Sequence, residues 1–254
     1  MLSDQQREQI EVILVSPRNP LNMGAAARAM ANFGLSRLKV VAPYVPHWRE
    51  AKSAVGAPEI LANAVVTETL AEAVRDCTLI AGTGTLTFRK PEQQVVQLPD
   101  LPALLLEELE RGGRFAIVFG PEKHGLTRED LSYCNVLVEI PTDAGQPSMN
   151  LGQAVAVCLY ELAARTCPDA ENPRAKAKPE SSMNARKPIA ESGSLELLAG
   201  VVEQVMEAAR YSPESMREAN RHDMRLLLRS LTPAEKDVRR ILGLFRRILW
   251  RLRK

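Results

Sequence analysis

The stretch Arg114–Thr127 reads RFAIVFGPEKHGLT. Its first half is apolar, rich in β-branched and aromatic residues, and fits a strand buried on both faces. Gly120 opens a loop of glycine and polar residues, and Thr127 precedes Arg128-Glu129-Asp130. A threonine before acids is a helix N-cap signal, because the hydroxyl accepts from an orphan N–H and the acids match the helix dipole. Strand, glycine loop and capped helix together make the repeating unit of a parallel sheet.

The same pattern extends outward in both directions. Glu11–Ser16 (EVILVS), Arg37–Ala42 (RLKVVA), Thr78–Thr83 (TLIAGT) and Val136–Pro141 (VLVEIP) read as further buried strands. Helical patterns lie between and beyond them at Met23–Phe33, Glu59–Asn63, Thr67–Asp76 with Thr67 as N-cap, Pro99–Arg111, Thr127–Tyr133 and Asn150–Arg165. Alternation of this kind predicts an α/β fold with a mainly parallel sheet covered on both faces.

After Arg165 the composition changes. Cys167–Ala190 holds Pro168, Pro173, Pro179 and Pro188 with almost no large apolar residue, which predicts an extended linker. Helical periodicity returns at Leu195–Arg210, Pro213–Ser230 and Pro233–Arg253, where Val238, Ile241/Leu242, Phe245 and Ile248/Leu249 form an apolar stripe. The expected organisation is an enzyme domain over 1–166, a flexible linker over 167–190 and a small all-α, basic extension over 191–254. From Arg221 to Lys254, eleven Lys/Arg stand against three acids, a charge of +8, and the chain's total of +2 leaves −6 for residues 1–220. Such an asymmetry predicts an anion-seeking end.

With 254 residues, 45% hydrophobic and 25% charged, the chain is neither disordered nor fibrous. No apolar run approaches the roughly 20 residues of a membrane span, and the polar start Met1–Ile10 lacks a secretory pattern, so a cytoplasmic protein without membrane association is expected. Cys77, Cys134, Cys158 and Cys167 form no C-x-x-C pair, and His47, His124 and His222 are far apart. Neither a metal centre nor a Ser/His/Asp triad is predicted, and Cys134 and Cys158 read as small core residues.

Ligands of parallel α/β sheets bind at the carboxyl ends of the strands. Four polar, glycine-rich segments fall there: Ser16–Arg28, Gly82–Thr87, Gly120–Thr127 and Ile140–Gly152. Gly82-Thr83-Gly84 lacks the third glycine and the helix opening of a dinucleotide fingerprint and reads as a tight turn. Asn22-Met23-Gly24-x-x-x-Arg28-Ala29-Met30, then Phe119-Gly120-x-Glu122-x-x-Gly125-Leu126-Thr127, then Ile140-Pro141 followed by Ser148-Met149-Asn150-Leu151, resembles the three motifs of the TrmH-like SPOUT RNA ribose 2′-O-methyltransferases. Within that family the chain is most similar to the TrmJ type, which acts on residue 32 of the tRNA anticodon loop. The likeness is dense from Val12 to about Arg165 and looser in the basic helices.

The resemblance implies a deep trefoil knot, a homodimer, and S-adenosyl-L-methionine (S-adenosylmethionine) bound within the knot. Carried onto this chain, it implies cofactor contacts at Thr83, Gly84, Thr85, Gly120, Ile140, Pro147, Ser148, Met149 and Asn150. Pro147 stands where the TrmJ type commonly has serine. It also implies a catalytic group of Arg28, Asn22, Ser148 and Glu122. A guanidinium stays protonated, so Arg28 is expected to clamp the RNA phosphate and ribose rather than to act as a base. Asn22 and Ser148 are expected to orient groups by hydrogen bonds, and Glu122 to hold Arg28 or a motif loop. In the extension, Arg217, Arg221, Arg225 and Arg229 recur every four residues and are expected to form an RNA-binding ridge. A related SPOUT enzyme acting on ribosomal RNA, or a non-catalytic RNA-binding knot protein, are the alternatives.

Overall fold

The structure is a computed structural model, which describes residues 2–84, 91–166 and 188–254. Seven strands, β1 (Ile10–Val15), β2 (Leu38–Val41), β3 (Val65–Thr67), β4 (Leu79–Thr83), β5 (Gln94–Gln97), β6 (Phe115–Phe119) and β7 (Val136–Glu139), form one sheet in the order β3-β2-β1-β6-β4-β7-β5. Every pairing is parallel. The helices are α1 (Asp4–Arg7), α2 (Pro20–Asn32), α3 (Pro58–Ala62), α4 (Leu70–Ala73), α5 (Leu101–Glu110), α6 (Arg128–Ser132), α7 (Leu151–Arg165), α8 (Ser192–Ala208), α9 (Arg217–Ser230) and α10 (Glu235–Leu252).

The uninterrupted apolar runs are explained by burial on both sides. Val12 and Leu14 of β1 and Phe115, Ile117 and Phe119 of β6 join a core beneath α2, α5 and α7. Ile13, Val15, Ala116 and Val118 point the other way, into a smaller core under α4 and α6. Side chains alternate across a strand, so a strand covered on both faces is apolar along its length; Glu11 in β1 is buried as well and is kept there by ion pairs with Arg37 and Lys39. β3 and β5 are the exceptions, and no strand is expected there from the sequence. They are the sheet's edges, short and largely exposed (Val65 is 52% and Val95 40% accessible), so they lack the apolar run that marks a buried strand.

Thr127 caps α6 as expected, its Oγ1 accepting from Asp130 N–H at 3.1 Å. Thr67 does not cap a helix. It ends β3, and Thr69 caps α4 in a reciprocal capping box with Glu72. Gly152 lets α2 and α7 pack closely, since a Cβ there would lie 2.7 Å from that of Ala25, and Gly24 makes room for the loop at Ser53.

The linker expected at 167–190 falls mostly outside the described residues. Beyond it, α8–α10 surround their own core of Ala190, Leu195, Leu198, Ala199, Val202, Leu228 and Val238. These helices are seated on the sheet domain. Ser192 and Gly193 N–H donate to the carbonyls of Cys77 and Arg75, each at 2.9 Å.

This packing divides the predicted basic ridge: Arg217 and Arg221 stay exposed, and Arg225 and Arg229 are buried. Arg217 pairs with Glu207, and Arg221 donates to both carboxylate oxygens of Glu203 at 2.8–3.0 Å. Arg225 bonds Glu196 at 2.9 Å and lies 4.3 Å over the Tyr133 ring. Arg229, 3% exposed, reaches Glu196 and Ser192 at 3.0 Å and the Tyr133 carbonyl at 3.1 Å. The charge repulsion along α9 is therefore offset within the chain. Glu196, Glu203 and Glu207 recur at seven and four residues, one face of α8, and this pattern was the available signal.

Arg229→Ala takes the donor from the Tyr133 carbonyl and the buried Ser192 hydroxyl and leaves Glu196 to Arg225 alone, and a loss of about 2–3 kcal/mol is expected. Arg239, with its side chain 77% exposed beside Glu235, should change stability by no more than about 0.5 kcal/mol when replaced by Ala. Chemical denaturation of the two variants checks both; equal effects would show that the buried network contributes nothing.

Candidate functional site

Adjacent strands β1, β6, β4 and β7 deliver their carboxyl ends to one edge of the sheet, where the chain order reverses across the β1–β6 boundary. A cavity of about 280 Å³ opens there. Its walls are Thr83 and Gly84 after β4, the loop Phe119–Leu126 after β6, and Glu139, Ile140, Thr142, Pro147–Met149, Leu151 and Ala154 from β7 to α7.

Of the positions expected to meet a cofactor, Thr83, Gly84, Gly120, Ile140, Pro147, Ser148 and Met149 line this cavity. Asn150 lies directly beside it as the N-cap of α7, and Thr85 lies outside the described residues. The Thr83 hydroxyl donates to the Val118 carbonyl at 2.9 Å, so what this residue offers the cavity is mainly backbone. A Cβ on Gly84 would meet nothing within 4 Å, which leaves bare peptide facing open space. On Gly120 it would lie 2.3 Å from Leu126 N, so only glycine lets the loop fold back under the cavity. Gly125 completes that turn at φ 64°.

A hydrogen-bond relay braces the walls. Glu122 accepts from Arg18 N–H at 3.1 Å, Asn19 N–H at 3.2 Å and the Asn22 side-chain amide at 2.9 Å. Asn22 Oδ1 accepts from the Asn150 amide at 2.9 Å, and Asn150 Oδ1 caps α7 through Gly152 N–H at 2.9 Å. Asn19 caps α2 in turn, at Leu21 N–H. Burial alone would push the Glu122 carboxyl up. Hydrogen bonds from Asn22 and from the backbone of Glu122, Arg18 and Asn19 outweigh it and hold the group below its ordinary range.

Of the two roles expected of Glu122, it holds a motif loop, residues 18–22, and bonds no group of Arg28 among the described residues. Arg28 is exposed on α2, outside the cavity lining, and makes no hydrogen bond or ion pair among the described residues. Asn22 spends its amide on the brace rather than facing the cavity. Glu139, whose Oε2 accepts from Gln97 at 2.7 Å, and Thr142 line the cavity without having been singled out in the sequence. Glu139 could have been found as the last strand residue before Ile140. Among the described residues, no group of His, Cys, Asp or Glu could hold a metal ion. Cys77, Cys134 and Cys158 are buried, and burial pushes the Cys134 and Cys158 thiols up to about 12, so these two are core residues.

The geometry suits an adenosine-bearing ligand. The floor is bare backbone at Gly84 and Gly120, the walls are Leu126, Ile140, Leu151 and Ala154, and carboxylates stand at the margin.

Comparison with known proteins agrees. The SpoU rRNA Methylase family model matches residues 9–160. The Pseudomonas aeruginosa (strain UCBPP-PA14) tRNA (cytidine/uridine/adenosine-2'-O-)-methyltransferase TrmJ is 36% identical over 200 residues, covering 78% of this chain and 77% of that protein. The tRNA (cytidine-2'-O-)-methyltransferase TrmJ of Methanocaldococcus jannaschii is 41% identical over 155 residues, 60% of this chain and 66% of its own length. The crystal structure of TrmJ from Z. mobilis ZM4 superposes with a TM-score of 0.79 at 28% identity, over 94% of this chain and 98% of that one.

Glu122→Gln turns an acceptor toward donors into a mixed group. It should cost about 1–3 kcal/mol at pH 7. A depressed carboxyl stabilises the fold above its unfolded pKa, and that contribution is lost as pH falls through the folded value. The gap between wild type and variant should therefore narrow on acidification toward pH 3. Urea unfolding at both pH values measures it, and a gap independent of pH contradicts the ionised brace.

Proposed function

The chain belongs to the SpoU rRNA methylase family, in its TrmJ-type branch, and from that premise we propose that it transfers a methyl group from S-adenosylmethionine to a ribose 2′-hydroxyl of tRNA. The observation that carries this reading is the braced, glycine-floored cavity formed by the three motif loops. The finer reading is methylation of residue 32 in the anticodon loop, by a homodimeric cytoplasmic enzyme with a trefoil knot. The insertion of β7 between β4 and β5 and the bond from Asn150 back to Asn22 support the knot. Exposed apolar side chains on neighbouring helices, Leu21 of α2 with Val157 and Tyr160 of α7, support a self-association face. The chain divides into a methyltransferase domain over 1–166, a linker over 167–190 and a helical domain over 191–254.

Bound S-adenosylmethionine supplies an electrophilic methyl carbon on a sulfonium, so no metal is needed. The residues that hold it are the backbone at Gly84, Gly120, Ile140 and Met149, with Pro147 and Ser148 forming the outer wall. Glu122, Asn22 and Asn150 are positioning residues. They fix the loops before ligand arrives, which lowers the entropy lost on bringing the reactants into line. Ser148, exposed at the rim, is placed to orient the ribose by its hydroxyl. Arg28 remains protonated and exposed, so it acts from the RNA side. It holds phosphate and stabilises negative charge at the 2′-oxygen as the hydroxyl proton leaves to solvent. Phosphate contact by the helical domain falls to its exposed arginines, Arg217 and Arg221 of α9 and Arg240, Arg246 and Arg247 of α10, whereas Arg225 and Arg229 are buried.

Methylation of bulk tRNA by the full-length protein, with mass mapping of the product, should give 2′-O-methylation at position 32. Modification at another tRNA ribose overturns only the position, and no transfer to tRNA overturns the function. Arg28→Ala should reduce transfer by about a hundredfold or more with S-adenosylmethionine affinity unchanged. Equal loss of affinity would make Arg28 a cofactor residue. Light scattering should give twice the 28.0 kDa chain mass, and a monomer at working concentration removes the dimer.

A further inference from the structure

The loops after the adjacent strands β1 and β2 leave the sheet in an unusual way. Ser16, just after β1, and Ala42, just after β2, have φ of 43° and 41°. Left-handed backbone at residues other than glycine is strained and persists where the surroundings enforce it. Here the enforcing bonds are Ser16 N–H to Val41 O at 2.8 Å and Ala42 N–H to Thr67 O at 2.9 Å.

The outcome of these turns is a pair of side chains. Tyr44, 69% exposed, is tied by its N–H to the Pro17 carbonyl at 3.3 Å. The next residue, Arg18, has its N–H fixed on the Glu122 carboxylate, and Glu122 lines the cavity. The Arg18 guanidinium lies 4.8 Å from the centre of the Tyr44 ring. Tyr44 is thus tied through Arg18 to Glu122 of the cavity wall, with a cation against its ring and most of its surface open to solvent. The methyl-transfer machinery described above uses neither side chain. Arg18 enters the brace only through its backbone.

An exposed ring fixed to the braced loop of a site that receives a loop nucleotide is suited to stacking. Unpaired bases of RNA loops are recognised by stacking on aromatic rings and guanidinium planes. Arginine against such a ring adds a cation–π contact and stays in reach of phosphate. We propose that Tyr44, supported by Arg18, is a stacking platform for a nucleobase at or next to the ribose being methylated, so that RNA is gripped at the braced loop as well as by the basic helices. The proposal rests on the tRNA reading for its ligand. The competing occupant of an exposed ring is a protein partner, and the test separates the two.

The full-length protein is compared with Tyr44→Phe and Tyr44→Ala in three measurements: tRNA binding, steady-state methyl transfer to tRNA, and S-adenosylmethionine affinity. Tyr44→Ala should weaken tRNA binding and raise the tRNA KM by about tenfold. Tyr44→Phe should behave as wild type, because the ring and not the hydroxyl carries the contact. S-adenosylmethionine affinity and melting temperature should be the same in all three. Unchanged tRNA binding and KM in Tyr44→Ala, with an active wild type, overturns the platform and leaves the ring to a protein partner. A parallel loss of cofactor affinity also overturns it, by making Tyr44 a structural prop of the brace. If wild type binds tRNA but transfers no methyl group, the catalytic reading fails, and the binding comparison still decides the platform.

Discussion

One carboxylate organises the site. Glu122 draws the N–H groups of Arg18 and Asn19 and the Asn22 amide toward itself, and Asn22 passes the connection to Asn150 and the first turn of α7. Three segments distant in sequence, at 18–22, 122 and 150–152, are thereby fixed by polar atoms that would otherwise be left unsatisfied near a cavity. Losing one member costs more than one hydrogen bond, since a neighbour is left with its donor or acceptor unpaired. Asparagine suits the two middle positions because its amide both donates and accepts, whereas a carboxylate could only accept.

Around this brace the glycines shape the space and the sheet supplies rigidity. Gly120 allows the loop after β6 to fold under the cavity, and Gly84 leaves peptide groups open to it. The strands beneath are buried on both faces, so the edge that carries the four loops has little freedom to move. The helical region is held to this body by Arg225 and Arg229 against Tyr133, the residue that follows α6, which itself follows the Gly120–Leu126 loop. Charge that looks in the sequence like a surface for polyanions is at Arg225 and Arg229 a means of docking one part of the chain on another.

How far the sequence could be read depended on whether an element's partners were local. β1, β2, β4, β6 and β7 carry dense β-branched runs because both faces are buried, and each is recognisable alone. Edge strands β3 and β5 carry no such run, and Thr67 looked like a cap because nothing in its own neighbourhood reveals that it pairs with Val41. Most of the expected cofactor positions gather on one cavity, since motif residues at strand ends are brought together by the sheet. Arg28 does not join them, because position on a helix fixes direction relative to neighbouring turns and not relative to a distant loop. The burial of Arg225 and Arg229 is hidden for a related reason: a cation's exposure depends on what packs against it, and Glu196 and Tyr133 lie on other elements.

The central claim is that the Glu122–Asn22–Asn150 brace preorganises the cavity for its ligand. The most direct test is a double-mutant cycle on Asn22→Ala and Asn150→Ala, read by calorimetric titration of the full-length protein with S-adenosylmethionine. The account predicts that each single variant binds more weakly while remaining folded. It also predicts that the double variant loses less than the sum of the two, with a coupling of about 0.5 kcal/mol or more. Affinities equal to wild type, or losses that simply add, would contradict it.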